Sequence, residues 1–207
     1  TADQDVKRYI GEVRELFADL ELVLLGSDDV IVAAGWAVPL RWSGNPVDLP
    51  GGYTDSLARA VNAHHSGQRP DTLVIAAAQV HPERRGRGIA GELLTALCGL
   101  ADEPGWARVI APVRPTLKAR YPLTPIEQFA RWTRADGAPL DPWIRTHWRL
   151  GARIIATAPR SQTMTGTVAQ WEGWCDMVFP VSGEYVIPDG LATLHIDRDA
   201  NQGSYVE

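Results

Sequence analysis

Residues 72–101, TLVIAAAQVHPERRGRGIAGELLTALCGLA, constrain the fold more than any other stretch of the chain. An apolar run from Leu73 to Val80, bounded by Asp71 and Pro82, predicts a buried strand. Ile89, Leu93, Leu97 and Leu100 then recur at helical spacing, so a helix follows. Between the two lies Glu83-Arg84-Arg85-Gly86-Arg87-Gly88. Glycines allow a tight turn and leave N–H groups bare at the start of a helix. Those donors, the positive end of the helix dipole and three arginines together make an anion site. A pyrophosphate suits that site better than a lone carboxylate.

Gly86, Gly88 and Gly91 also spell G-x-G-x-x-G, which raises a dinucleotide as the ligand. That unit needs its first glycine close behind the strand and an acidic residue about 20 positions on. Here His81 to Arg85 intervene, and the next expected strand, residues 107–113, carries no acid. No Gly-Lys-Ser/Thr follows, which excludes a P-loop.

Strand, then Arg-Arg-Gly-x-Gly-Ile-Ala, then apolar helix resembles the coenzyme A signature of the GNAT superfamily of acyltransferases. The family pattern is Gln/Arg-x-x-Gly-x-Gly/Ala, and this chain departs from it only in having Glu83 at the first place. The resemblance implies an α/β (α+β) fold, a mixed central sheet flanked by helices. It implies that Arg84 and the amides of Arg85, Gly86, Arg87, Gly88, Ile89 and Ala90 hold the pyrophosphate. The backbone from Gln79 to His81 would pair with the pantetheine arm, with the Val80 N–H facing the thioester carbonyl. The implied activity is acyl-CoA-dependent N-acyltransfer, from acetyl-CoA or another acyl-CoA, to a small-molecule amine.

The rest of the chain is compatible with one domain spanning residues 1–207. That length is enough for a full core. A net charge of −5 argues against a general nucleic-acid binder, so the arginine cluster is a local feature of an acidic body. Cys98 and Cys175 make no disulfide framework and fit a reducing cytoplasm. No apolar run reaches membrane-spanning length and no signal peptide is visible, so a cytoplasmic protein without a membrane partner is expected.

Residues 5–20 predict an amphipathic helix, and residues 21–26 and 30–40 a hairpin turned at Ser27-Asp28-Asp29. Trp36 and Trp42 flank the end of its second strand, where packing is their expected role. Thr54 is expected to cap a helix to about His65. His64 and His65 are adjacent and diverge on a helix, so no metal site is read there or elsewhere. A long insertion covers residues 114–140. Its Thr124-Pro125-Ile126-Glu127 predicts a capped helix to about Arg134. Asp141-Pro142 starts another helix, ended by Gly151. Residues 153–157 and 161–165 read as strands, and Thr167 with Gln170 as a capping box for a helix bearing Trp171 and Trp174. Residues 177–181, 185–187 and 192–196 are expected as further extended segments that close the central sheet.

By the same resemblance, the helix after Asp141 corresponds to a Tyr-x-x-x-Gly segment whose tyrosine acts as general acid. His147 stands in that place, four residues before Gly151. With an ordinary pKa of about 6.5, histidine can donate or accept a proton near neutrality. The base is not evident, because residues 73–80 contain no carboxylate. Candidates are Gln79 through a water, Glu127, Asp141, or His147 at both ends of the reaction. A second resemblance keeps another reaction open. The insertion, residues 145–152 and Arg114-Pro115-Thr116 are similar to the GNAT-like loading domains of curacin-type polyketide synthases. Those domains decarboxylate malonyl-CoA and pass the acetyl group to a carrier protein using a His and a Thr, here His147 and Thr116. Arg160 is a candidate for facing an anionic group. An inactive CoA-binding module is a third reading, and a homodimer stays open.

Overall fold

The structure, a computed structural model, describes residues 3–102 and 105–207. A first sheet has the order β1-β2-β3-β4, from β1 (Glu21–Leu25), β2 (Ile31–Leu40), β3 (Thr72–Val80) and β4 (Arg108–Ile110). β1, β2 and β3 pair antiparallel, and β4 joins β3 in parallel, as expected when a helix connects two strands. Helices α1 (Gln4–Leu16) and α2 (Tyr53–His65) cover one face, burying Val13, Leu57 and Val61 against Val38, Leu40 and Val74. Helix α3 (Ile89–Gly99) covers the other, where Leu93, Leu94 and Leu97 meet Ala33 and Ile75. Each fully buried leucine contributes about 1.5–3 kcal/mol. The buried run of β3, Leu73 to Ala76, is apolar on both sides because both faces of the sheet are covered.

The late strands do not close this sheet. β5 (Thr163–Gly166), β6 (Gly183–Val186), β7 (Thr193–Asp197) and β8 (Gln202–Val206) form a second, antiparallel sheet of order β5-β8-β7-β6. Its own core holds Trp171, Phe179, Leu194, Ile196 and Tyr205. The physical reason lies at the edge of the first sheet. β4 ends at Ile110, and Pro112 offers no N–H to continue a ladder. Residues 153–157, expected as a strand, form none. β8 is missing from the sequence reading, being too polar to register as a strand. Gly203 within it lets the Trp171 indole lie on the backbone, where a Cβ would come within 2.2 Å of that ring.

Helix ends differ from expectation in two places. Helix α2 begins one residue before Thr54, whose hydroxyl donates to Asp3 Oδ2 at 3.0 Å instead of capping. In the insertion, helix α4 covers only Ile126–Phe129 and its expected capping box does not form. A bridge between Thr133 and Pro139, closed by the left-handed Gly137, takes over the chain there. Helices α5 (Pro142–Arg149) and α6 (Val168–Cys175) follow the reading, the latter with its Thr167–Gln170 capping box intact. The insertion is fastened to the second sheet by the Arg114–Glu207 ion pair at 2.8 Å. The buried Lys118 adds to it by donating to the carbonyls of Tyr121 and Leu191. Among the described residues no helix is long and apolar enough to cross a membrane.

Candidate active site

β3 and β4 pair only over Thr72 to Val74, after which β3 runs on for six residues with β2 alone. Trp36 pairs with Ala77 and Ala37 with Ile75, so Ala76 is an extra residue that bends β3 as it leaves β4. The His81 N–H donates to Val32 O at 2.9 Å. Because hydrogen-bonded and non-bonded pairs alternate along an antiparallel ladder, the Val80 and Ala78 N–H groups turn away from β2. They face the gap that β4 vacates. Of the three backbone positions expected to meet an extended substrate arm, Val80 therefore offers its donor to the gap, whereas the His81 N–H is spent on β2. Gln79 is exposed, and neighbouring positions on a strand face opposite sides, so its side chain lies on the face away from Val80.

The turn that follows is a cradle of donors. Pro82–Arg84 form a single 3-10 turn, then Gly86 at φ +79° and Gly88 at φ +84° take left-handed conformations. A Cβ at either glycine would meet no atom within 4 Å, so the space over both is open. The first turn of α3 closes when Gly91 and Glu92 donate to Gly88 O at 2.8 and 3.3 Å. The amides of Gly86, Arg87, Gly88, Ile89 and Ala90 find no acceptor among the described residues. That of Arg85 is turned into the local bend, donating to Pro82 O at 3.4 Å. Arg85 and Arg87 are exposed, while Arg84 is paired with Asp28 of the β1–β2 turn at 3.3 Å. Five open amides, a helix N-terminus and the two exposed guanidinium groups of Arg85 and Arg87 form a site for a multiply charged anion.

The second half of the site is α5. Asp141 is 2% exposed and caps this helix through Oδ1, which accepts from the Trp143 and Ile144 amides at 2.8 and 3.0 Å. Its Oδ2 accepts from the Leu117 amide at 2.6 Å and the Thr116 hydroxyl at 3.4 Å. The carboxylate is thus occupied in joining the post-β4 loop to α5, which removes Asp141 as a mobile base. Gly151, at φ +89°, ends the helix, and the Leu150 and Ala152 amides return to His147 O.

Helix α5 packs on α3 and carries His147 half-buried. Its Nε2 is fully buried without a partner, one of two such side-chain atoms among the described residues. The Trp143 ring meets the imidazole edge to face, with centroids 4.6 Å apart. Burial holds the imidazole below its usual pKa, so it is neutral at pH 7. In the sequence, the four-residue spacing of Trp143 from His147 is the signal for this contact.

Not every expected residue joins this group. Thr116 is tied to Asp141 at the N-terminal end of α5. His147 lies six residues after Asp141 on α5, and among the described residues no hydrogen bond joins it to Thr116. Glu127 is exposed on α4, and no hydrogen bond joins it to His147 among the described residues. Arg160 lines a separate cleft with Asp5, Asp55 and Ser161 at the N-terminal ends of α1 and α2. Among the described residues no group of three His, Cys, Asp or Glu side chains is placed to hold a metal ion.

No family profile matches the chain. It is 30% identical to the arginine N-acetyltransferase avaD of Aspergillus versicolor, over 93% of this chain and 74% of that protein. In structure it is similar to the loading GNATL domain of CurA from Lyngbya majuscula, with a TM-score of 0.56 and 19% identity. That match covers 75% of this chain and 72% of the other. It is also similar to the GphF GNAT-like decarboxylase in complex with isobutyryl-CoA, with a TM-score of 0.53 and 23% identity, over 72% and 70% of the two chains. At those identities the two structures speak to the fold alone, whereas the fungal relative carries the sequence relationship. With the open strand edge and the amide cradle in the same order along the chain, this protein belongs to the GNAT superfamily of acyltransferases.

Proposed function

We propose that the protein is an acyl-CoA-dependent N-acyltransferase that moves an acetyl group from acetyl-CoA to the amine of a small molecule, with an amino acid as the acceptor class. The observation that carries this reading is the run of unengaged amides from Gly86 to Ala90, set at the end of a strand with donors free on one edge. A pyrophosphate satisfies the cradle, and the attached pantetheine arm runs back along β3 so that the thioester reaches Val80. The acceptor class follows the relative, whose name specifies arginine.

The amine nitrogen attacks the thioester carbonyl carbon, and the oxygen gathers negative charge against the Val80 N–H. The C–S bond then breaks, leaving an amide and the CoA thiolate. Neutral His147 takes the proton that the attacking nitrogen must lose and delivers it to the sulfur. A water held by Gln79 on the opposite face of β3 is the route for an incoming ammonium to shed its first proton. Decarboxylation by His147 with Thr116 draws no support from the Thr116 hydroxyl, which donates to Asp141.

The test is thiol release from acetyl-CoA across a panel of free amino acids including arginine. His147→Ala is expected to lower kcat by about 10²–10⁴-fold while leaving CoA affinity intact. Absence of thiol release with every amine sinks the reading. Acceptor-independent conversion of malonyl-CoA to acetyl-CoA would replace it with decarboxylation.

A further inference from the structure

We propose that Trp143 is a positioning residue for His147, holding the imidazole with Nε2 turned inward and keeping water from that nitrogen. The inference rests on the acyltransferase reading of His147. The two side chains share one face of α5 and meet edge to face, with ring centroids 4.6 Å apart. Trp143 also packs against the buried cluster of Ala33, Ile75, Leu93, Leu94 and Leu97, on which Ala78, Val80 and Ile89 pack as well. Those three residues are the free edge of β3 and the first residue of the cradle helix. One indole therefore joins the imidazole to the same apolar core that underlies the open strand edge and the start of the cradle helix. The buried Nε2 has no partner among the described residues, so no hydrogen bond at that nitrogen fixes the ring and its packing on Trp143 does.

Burial is the sole cause of the lowered His147 pKa. On α5, Arg145 gives its Nη1 to the carbonyls of Pro139 and Leu140 at 2.8 and 2.9 Å, and Arg149 is exposed. On α3 the buried side is Leu93, Leu94 and Leu97, with Glu92 and Cys98 exposed. Beyond β3, His81, Arg85 and Arg87 are exposed and Arg84 is paired with Asp28. With the indole removed, water reaches Nε2 and the protonated ring is no longer disfavoured. The working, neutral form of His147 is lost as pH falls through its pKa. The acid limb of kcat/KM therefore lies below 6.5 in the native protein and rises towards 6.5 without the indole.

The experiment compares the native protein, Trp143→Phe and Trp143→Leu by NMR titration of the His147 ring nitrogens and by kcat/KM against pH. The imidazole is expected to titrate about half a unit or more higher in Trp143→Leu, and less so in Trp143→Phe, with the acid limb of the rate moving in step. KM for the acyl-CoA stays within about two-fold. An identical His147 titration in all three folded proteins overturns the proposal, whatever their activity. If the titration moves but the native protein transfers no acyl group, the acyltransferase reading falls and the assignment of Trp143 stands. Where Trp143→Leu does not fold, Trp143→Phe decides by the same titration.

Discussion

Replacing Gly88 with valine tests the cradle at its centre. Gly88 is the residue just before α3, at φ +84° and ψ −13°, and a Cβ there would touch no atom of the chain within 4 Å. The substitution therefore creates no internal clash. Its cost to the folded state is the left-handed backbone alone, about 1–2 kcal/mol for a residue with a Cβ. For a chain of 207 residues that is a fall in melting temperature of roughly 2–8 °C. The cost to the ligand is larger, because the isopropyl group fills the space the phosphates need. Each lost hydrogen bond to a charged group removes about 1.5–3 kcal/mol, or roughly 10- to 150-fold in affinity. Gly67→Val separates the two effects. Gly67 is also left-handed, at φ +64°, with nothing within 4 Å of its Cβ position. It lies just after α2, beyond the start of β3, whereas Gly88 follows the end of that strand, roughly 25 Å away along the chain direction. Both variants are expected to lose similar thermal stability, but only Gly88→Val loses CoA binding, measured by calorimetric titration. If folded Gly88→Val binds CoA as tightly as Gly67→Val does, the amide cradle is not the CoA site.

Two further outcomes test the framework. Asp141→Ala removes the cap of α5 and the acceptor for the Leu117 amide together, and should cost about 2–4 kcal/mol in urea unfolding. A loss below about 0.5 kcal/mol would show that α5 does not depend on this carboxylate. Gly203→Ala drives a methyl group into the Trp171 indole and should destabilise by about 1–3 kcal/mol, read as a lower melting temperature. An unchanged melting temperature would mean that the indole does not lie on β8.

Much of the cradle was legible because its signals are local. Gly86 and Gly88 sit between a strand and a helix, and an L-residue there would resist the left-handed turn, so the residue types disclose the backbone. Helix α5 was equally legible, since Asp141, Pro142 and Gly151 mark both of its ends with short-range chemistry. The Thr124–Glu127 pattern failed although it is just as local. The bridge closed at Gly137 competes for the same residues and leaves the helix only one turn.

The chain by itself determined where the anion donors lie, which strand and helix hold them, and which histidine stands at the helix end, because each depends on neighbours a few residues away. Tertiary structure alone decided that β4 stops short and opens the edge of β3, that the late strands pair with one another, and that Asp141 is a clamp and not a base. It also decided that the Trp143 ring meets the His147 imidazole edge to face and that the Thr116 hydroxyl is given to Asp141. These outcomes depend on which distant backbone and side-chain groups satisfy each other's hydrogen bonds and exclude water. Partners 20 to 100 residues apart are chosen by packing of the whole chain, and no local spacing records that choice.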